Sequence, residues 1–211
     1  MIKLHFNIAL LKAAALATAK HDVNICLNGV YVNLADLSLQ ASNRHIAFIS
    51  KPESLSLTEG ERKGGFILSN ELIKQILSVK INKNIPEERT LYLEFDPDSQ
   101  QISAIIKSMT LKNQAVQERF PSIANVYVIT PLLLQSDGNI QVRYYTPYLK
   151  ILDDMLKALS IIPTIGADKG VRLHFGENKT IAEFPDNIAQ LVIMGMQDNE
   201  APNNWQYQLT K

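Results

Sequence analysis

Apolar residues along this chain switch repeatedly between a helical spacing and a strict alternation. Helices are predicted at residues 7–19, 69–81 and 146–159, where apolar side chains recur every three or four positions. A short apolar run precedes each helix, and runs with the period of two that is typical of half-buried strands follow it. The pattern therefore predicts three similar units, each a strand, a helix and three further strands.

The predicted strands are short and are separated by turn residues. They cover residues 3–6, 23–27, 30–32, 37–41, 45–50, 66–68, 91–95, 102–106, 109–114, 139–144, 171–175, 180–184 and 190–194. Asn28-Gly29 interrupts one alternating run, as either a hairpin turn or a bulge. The polar stretch 51–65 predicts a linker loop, and 117–134 is expected to cross between domains.

Charge and cysteine content limit the classes of partner and compartment. Lys and Arg number 21, as do Asp and Glu, so a uniformly basic nucleic-acid coat is excluded while a basic face balanced by an acidic one is not. The single Cys26 predicts a buried structural thiol without a disulfide. No signal peptide is evident, and the stretch 8–19 is interrupted by Lys12 and too short to cross a bilayer. A cytoplasmic protein with no membrane partner is expected.

No catalytic or metal-binding pattern stands out in the sequence. The four histidines lack a neighbouring cysteine or second histidine at ligand spacing, and the adjacent carboxylates Asp153 and Asp154 are typical of a helix surface. We therefore predict no metal, no cofactor and no enzymatic activity. A repeated module without such chemistry favours a scaffolding or binding role.

Several stretches resemble one known family. Cys26-Leu27-Asn28-Gly29-Val30 and the segment 37–47 are similar to the middle domain of bacterial sliding clamps, the beta subunit of DNA polymerase III. Glu118-Arg119-Phe120-Pro121 resembles the Gly-Arg-Phe-Pro-Asp of that family, and 191–196 resembles its final strand. The similarity covers most of residues 1–196. It implies an α+β chain of DNA-clamp architecture, with helices on one face of antiparallel sheets.

The resemblance also implies a domain organisation. Units 1–50 and 66–116 would form a complete clamp-like domain within residues 1–125, while 126–197 would form half a domain and 198–211 a polar tail. Clamp protomers carry six such units and this chain carries three. We therefore expect a homo-oligomer, a dimer or a tetramer, in which the third units of two chains complete a shared domain.

Two sites are implied by the resemblance. Clamps encircle duplex DNA with their helices inward, which implies DNA contacts by lysines on or just after the three helices. These are Lys12, Lys20, Lys74, Lys80, Lys83, Lys150 and Lys157. The pocket that captures short peptides from polymerases and repair proteins maps onto Leu27, Ser42, Ile46, Pro121, Asn125, Val126, Val192, Met194 and Met196.

Each site has a simpler interpretation. The lysines could be an ordinary solvated helix face, and several of the pocket residues are those that any sheet would bury. The leading hypothesis is a non-enzymatic protein that binds or encircles duplex DNA without sequence specificity and tethers replication or repair proteins. The alternative is a protein-interaction module of clamp ancestry that does not encircle DNA. An enzyme that borrows this scaffold ranks last.

Overall fold

The computed structural model describes residues 1–123, 126, 146–163, 165, 170–175 and 179–194. The described helices are α1 (Ile8–Ala15), α2 (Asn70–Ser78) and α3 (Thr146–Leu159). The described strands are β1 (Ile2–Asn7), β2 (Gly29–Asn33), β3 (Ser38–Ser42), β4 (Ile46–Ser50), β5 (Ser56–Glu59), β6 (Gly65–Ser69), β7 (Thr90–Asp96), β8 (Gln101–Ile106), β9 (Met109–Gln114), β10 (Arg172–Phe175), β11 (Lys179–Glu183) and β12 (Ala189–Met194). The predicted strand 139–144 and the tail 198–211 lie outside these ranges.

The strands form two antiparallel sheets. The five-stranded sheet has the order β5-β1-β7-β8-β9, and the seven-stranded sheet has the order β10-β11-β12-β4-β3-β2-β6. In the larger sheet β12 pairs along the whole of β4, from Ala189 opposite Ser50 to Ile193 opposite Ile46. The strands that follow α3 are therefore joined to the strands that follow α1. The α+β class expected from the sequence is confirmed.

The first two helices are each preceded by a strand that crosses to the other sheet. β1 pairs with β7, and β6 pairs with β2. The first helical group (β1, α1, β2, β3 and β4) and the second helical group (β6, α2, β7, β8 and β9) therefore each lend their first strand to the other. Asn7 and Ser69 end these strands and cap the helices that follow. Their side chains accept hydrogen bonds from the backbone N–H groups of Ala9 (3.0 Å) and Leu72 (3.2 Å).

One main hydrophobic core lies between the sheets and all three helices. α1 contacts both α2 and α3. Six of its eight residues are buried, and they are Ile8, Ala9, Leu10, Leu11, Ala13 and Ala14. A helix that is apolar on nearly every side is buried on nearly every side, and the small alanine side chains allow close neighbours. α1 is therefore the centre of the helical layer.

Four local predictions are wrong. Residues 23–27 do not form a strand, because Ile25–Leu27 is a single 3₁₀ turn that leaves Val23 93% exposed. Asn28-Gly29 is neither a hairpin turn nor a bulge, since Gly29 is the first residue of β2. The loop 51–65 contains a strand, β5, which pairs with β1 at the edge of the smaller sheet. The first predicted helix also ends earlier, at Ala15.

Candidate functional site

Three candidate lysines lie on the surface of α1 and α2. Lys12 is the one exposed residue of α1, Lys74 is exposed on α2, and Lys20 is exposed just after α1. None of the three forms an ion pair within the part of the chain that the structure describes. α1 contains no carboxylate, and Glu71 is the single acidic residue of α2. This surface therefore carries an excess of positive charge.

A shallow groove of about 520 Å³ separates the two helices at this surface. Lys20 and Lys74 lie along it together with Thr18, Asn70 and Ser78. Asn70 is held in place because its amide Nδ2 donates a hydrogen bond to the carbonyl oxygen of Ala19 (2.8 Å). The groove thus brings two ammonium groups and several hydroxyl or amide groups to one open cleft.

The remaining candidate lysines have different surroundings. Lys150 and Lys157 lie on α3 and form ion pairs with Asp154 (3.0 Å) and Asp153, each one turn away on the same helix. Charge on the described surface of α3 is therefore balanced, unlike that of α1 and α2. Lys80 and Lys83 are exposed in the loop after α2.

Part of the candidate peptide pocket is assembled on the outer face of the seven-stranded sheet. Leu27 and Val192 are buried there in a second apolar cluster, here called the outer cluster, and Val126 and Met194 pack against it while partly exposed. The buried members of the outer cluster are Ala19, Cys26, Leu27, Ala47, Ile67, Phe120, Ile123, Ile181 and Val192. Four of the nine candidates are thus brought together. Asn125 and Met196 lie outside the described residues.

The other three candidates are not members of this cluster. Ile46 points to the opposite face of the sheet, into the main core, and its neighbour Ala47 occupies the outer cluster instead. Ser42 is buried, and its Oγ donates a hydrogen bond to the Ile46 carbonyl oxygen (2.9 Å). Pro121 lines a cavity of about 990 Å³ that Tyr31 and Phe120, which pack in the outer cluster, also line.

Residues 117–123, here called the connecting segment, close over the outer cluster. The ring of Phe120 stacks on that of Tyr31, with centroids 5.1 Å apart and planes 5° from parallel. Beyond the segment, Nζ of Lys179 donates a hydrogen bond to the Val126 carbonyl oxygen (2.8 Å). The sequence alone does not single out Tyr31 or Lys179 as site residues, because neither belongs to a motif and both lie in or beside ordinary predicted strands.

Electrostatic effects at this face come from burial and from local hydrogen bonds. Burial raises the pKa of the Cys26 thiol, and the nearby Glu118 carboxylate raises it further. The backbone N–H of Asn24 lowers the pKa of Asp22, which the Arg44 guanidinium also lowers from 2.7 Å. Cys26 is therefore held as a thiol, while Asp22 is held as a carboxylate that orders the turn before β2.

The described residues contain no group of three or more histidine, cysteine, aspartate or glutamate side chains that could hold a metal ion. None of the described helices is long and apolar enough to cross a membrane.

Comparison with solved structures identifies the architecture. No family model matches the sequence, and no curated protein matches it significantly. The DNA polymerase III beta subunit of Pseudomonas aeruginosa superposes with a TM-score of 0.62 at 14% identity, over 93% of this chain and 66% of that one. The sliding clamp of Bacillus subtilis gives 0.61 at 11% identity, over 95% and 66%.

The beta subunit of Streptococcus pyogenes DNA polymerase superposes similarly, with a TM-score of 0.58 at 11% identity over 95% of this chain and 66% of that one. The chain thus spans about two thirds of the length of the clamps that it matches. The resemblance expected from the sequence is confirmed at the level of the fold: this chain has the fold of the bacterial sliding clamps.

Proposed function

We propose that this chain is a non-enzymatic clamp-like protein that binds duplex DNA without sequence specificity through the surface of α1 and α2. The main support is the set of three exposed lysines, Lys12, Lys20 and Lys74, which lack carboxylate partners among the described residues. Their ammonium groups would contact phosphates, which carry no sequence information but position a protein on the duplex. In the clamps that this chain resembles, helices likewise line the surface that faces the DNA.

The α3 lysines would contribute less to DNA binding. Lys150 and Lys157 are each engaged by a carboxylate one turn away. Phosphate contact would require breaking these pairs or bringing two carboxylates near the DNA. The proposed interface is therefore centred on α1 and α2, with Lys80 and Lys83 at its margin.

Removing the three unpaired lysines tests this interface. We expect Lys12→Ala, Lys20→Ala and Lys74→Ala together to weaken binding to a duplex of arbitrary sequence and to flatten the dependence of log K on log salt by up to ~3. Fluorescence anisotropy between low and moderate salt measures both quantities. The matched control is Lys51→Ala, Lys63→Ala and Lys112→Ala, three exposed lysines off the helices that make the same charge change. Equal losses in the two variants would reject the interface.

Encirclement is the finer form of the proposal. One chain carries three described helices and about two thirds of a clamp's length, so a ring would need more than one copy, as a dimer or a tetramer. A closed ring would be retained on circular duplex at salt that releases it from the same duplex after linearisation. Equal release from both forms would leave surface binding without topological linkage.

The outer cluster favours a second function, the docking of short peptides from polymerase or repair proteins. Leu27, Val192 and Met194 meet there, and two other members of the cluster, Phe120 and Ile123, line an open cavity of about 990 Å³. Apolar side chains with an adaptable methionine suit several linear peptides. Met194→Asp should abolish binding of a fluorescent apolar peptide while leaving DNA affinity unchanged, whereas peptide binding that survives would place the docking site elsewhere. Peptide binding without any DNA binding would favour the interaction-module alternative.

A further inference from the structure

The cavity of about 990 Å³ has a row of neighbouring side chains as its floor, on the outer face of the seven-stranded sheet. Tyr31 lies opposite Gln40 across β2 and β3, and Gln40 lies opposite Ile49 across β3 and β4. Leu39 and Ala41, which flank Gln40 in β3, are buried in the main core. Because side chains alternate along a strand, the Gln40 side chain points outward into the cavity.

The connecting segment 117–123 forms the cover of this cavity, and every one of its residues lines it. Two of them, Phe120 and Ile123, belong to the outer cluster as well. The cavity is therefore continuous with the outer cluster. A peptide held by the apolar side chains of the cluster can extend one of its own side chains into the cavity.

Gln40 is poorly satisfied for a side chain that is only 8% exposed. Its amide Nε2 lies 3.5 Å from Ser38 Oγ, and Ser38 Oγ lies 2.7 Å from Asp36 Oδ1. The Ser38 hydroxyl has a single proton, which it donates to the Asp36 carboxylate, so it can only accept from Gln40. This order fixes the Gln40 amide nitrogen towards Ser38 and leaves the carbonyl oxygen Oε1 for another donor.

Acceptor atoms without donors gather at this floor. Within the described part of the chain, neither Gln40 Oε1 nor the Tyr31 hydroxyl oxygen accepts a hydrogen bond. Asp36 has no cationic partner among the described residues. Burial raises the pKa of Tyr31, and the nearby Asp36 carboxylate raises it further, so the ring keeps its proton. The floor therefore suits a ligand with several N–H donors.

The charge of the lining favours a cation over an anion. Among the residues that line the cavity, Asp36 and Glu118 are carboxylates, and Arg119 is the one basic residue. Arg119 is exposed on the connecting segment, and its charge lowers the pKa of Tyr31 by less than burial and Asp36 raise it. Two carboxylates against one guanidinium leave one net negative charge.

We propose that this cavity binds the guanidinium group of an arginine in a peptide docked on the outer cluster, which rests on the docking function proposed above. A guanidinium is planar, keeps its charge and carries only N–H donors. It can pair with the Asp36 carboxylate through two parallel hydrogen bonds and donate a further one to Gln40 Oε1. The ammonium of a lysine is compact and more strongly hydrated, so it would enter the cavity less readily.

A peptide series tests the preference for arginine. A fluorescent apolar peptide carries one arginine at successive positions and is compared with the same peptides containing lysine or citrulline. At the best position, arginine should bind about tenfold more tightly than citrulline, which has nearly the same shape without the charge. Lysine should lie between them. Equal affinities for arginine and citrulline at every position would overturn the arginine site and leave peptide docking intact.

Two variants of the floor test which atoms hold the guanidinium. Asp36→Asn removes the charge and Gln40→Met removes the acceptor oxygen, each at nearly constant volume. The ratio of the arginine and citrulline affinities should fall close to one in Asp36→Asn and should fall several-fold in Gln40→Met. A variant that merely disturbs the fold weakens both peptides alike and leaves this ratio unchanged, which would overturn the assignment. Glu87→Gln, at an exposed position before β7, makes the same charge change as Asp36→Asn and should preserve the ratio.

Arg119→Ala separates a cation site from an anion site. Removing the rival positive charge should tighten binding of the arginine peptide by about twofold. Weaker binding in Arg119→Ala would mean that Arg119 holds an anionic group of the peptide, which would overturn the proposal.

N-acetyl-arginine amide tests the cavity without any apolar anchor. In the ¹⁵N-labelled full-length chain, the side-chain amide resonance of Gln40 is identified by its absence in Gln40→Met. It should shift during titration with this compound and stay in place with N-acetyl-citrulline amide. A shift without binding of any peptide would retain the guanidinium site and reject the docking function. A Gln40 resonance that does not respond would overturn the site.

Discussion

The backbone N–H of Cys26 donates a hydrogen bond to the Glu118 carboxylate across 92 residues of sequence, at 3.0 Å. This bond ties the turn before β2 to the connecting segment 117–123, which leads from the first two helical groups towards the third. It also explains why one carboxylate influences the Cys26 thiol. The outer cluster is therefore bounded by a polar anchor at one end and an aromatic stack at the other.

Glu118→Ala should loosen this anchor. Losing one hydrogen bond to an exposed carboxylate is expected to lower the free energy of unfolding by about 1 kcal/mol. It should also increase the rate of Cys26 alkylation, because the turn opens and the raised pKa of the thiol falls when the carboxylate is removed. Glu118→Gln retains an acceptor oxygen and should lie between the two. Urea denaturation and thiol-reagent kinetics measure these effects.

The control for the anchor is Glu87→Ala, an exposed glutamate in the turn before β7. It should change neither unfolding nor alkylation. An alkylation rate in Glu118→Ala that equals that of the unmodified chain would show that the hydrogen bond does not restrain the turn.

The stacked pair Tyr31 and Phe120 should hold the other end of the connecting segment. Phe120 is 7% exposed, so Phe120→Ala is expected to cost about 3 kcal/mol of unfolding free energy. A double-mutant cycle with Tyr31→Ala should give a coupling of about 1 kcal/mol for the parallel rings. Tyr92→Ala, at a 47% exposed ring, is the matched control and should cost far less. Additive single effects, with no coupling, would contradict a direct stack.

The sequence predicts the elements that lie within the main core. The spacing of their apolar residues predicts all three helices, and Ser69, the first residue of the predicted helix 69–81, caps α2. The alternation of apolar and polar residues likewise predicts β7, β8 and β9, because alternate residues such as Leu91, Leu93 and Phe95 are buried.

Failures occur where local hydrogen bonds or exposure replace core packing. The alternating residues before β2 do not form a strand because Asn28 and Asp22 exchange side-chain and backbone hydrogen bonds that close a turn. β5 was missed because its four residues are mostly exposed and carry no alternation. At the pocket, family resemblance selected Ile46, but strand geometry turns Ala47 outward instead. Which residues of a strand face the outer cluster is decided by the packing of the sheet and not by the sequence motif.

Close approach of β2 and β6 should require glycine at both ends of the pair. A Cβ at Gly29 would lie 2.3 Å from the Leu68 carbonyl oxygen, and one at Gly65 would lie 2.2 Å from that of Val32. Gly29→Ala and Gly65→Ala should each cost about 2 kcal/mol or more, because the contact is with backbone. Gly64→Ala has open space but a φ of +69° and should cost about 1 kcal/mol. Thermal melts of the three variants give the ranking, and an undisturbed Gly29→Ala would contradict the register.

Asp22 should make stability depend on acid. Its pKa in the folded chain lies below the ordinary value of 3.8, so it binds a proton less readily when folded than when unfolded. Its contribution is present above pH 3.8 and is lost as the pH falls through the lowered pKa. Asp22→Asn should therefore be less stable at pH 7, and the difference should shrink as the pH falls below 3.8. A difference that is constant with pH would exclude the carboxylate charge as its cause.

Releasing the α3 lysines should extend the proposed DNA interface. In Asp153→Asn with Asp154→Asn, Lys157 and Lys150 lose their carboxylate partners and can meet phosphates. We expect tighter binding to duplex DNA and a salt dependence steeper by up to ~2, measured by anisotropy as for the lysine variants. The matched control, Glu53→Gln with Glu59→Gln, frees Arg62 and Lys3 at surfaces away from the helices and changes net charge equally. If both variants gain the same affinity for DNA, net charge alone drives binding and the helical surface has no special role. A gain confined to the α3 variant means that DNA lies against the helices.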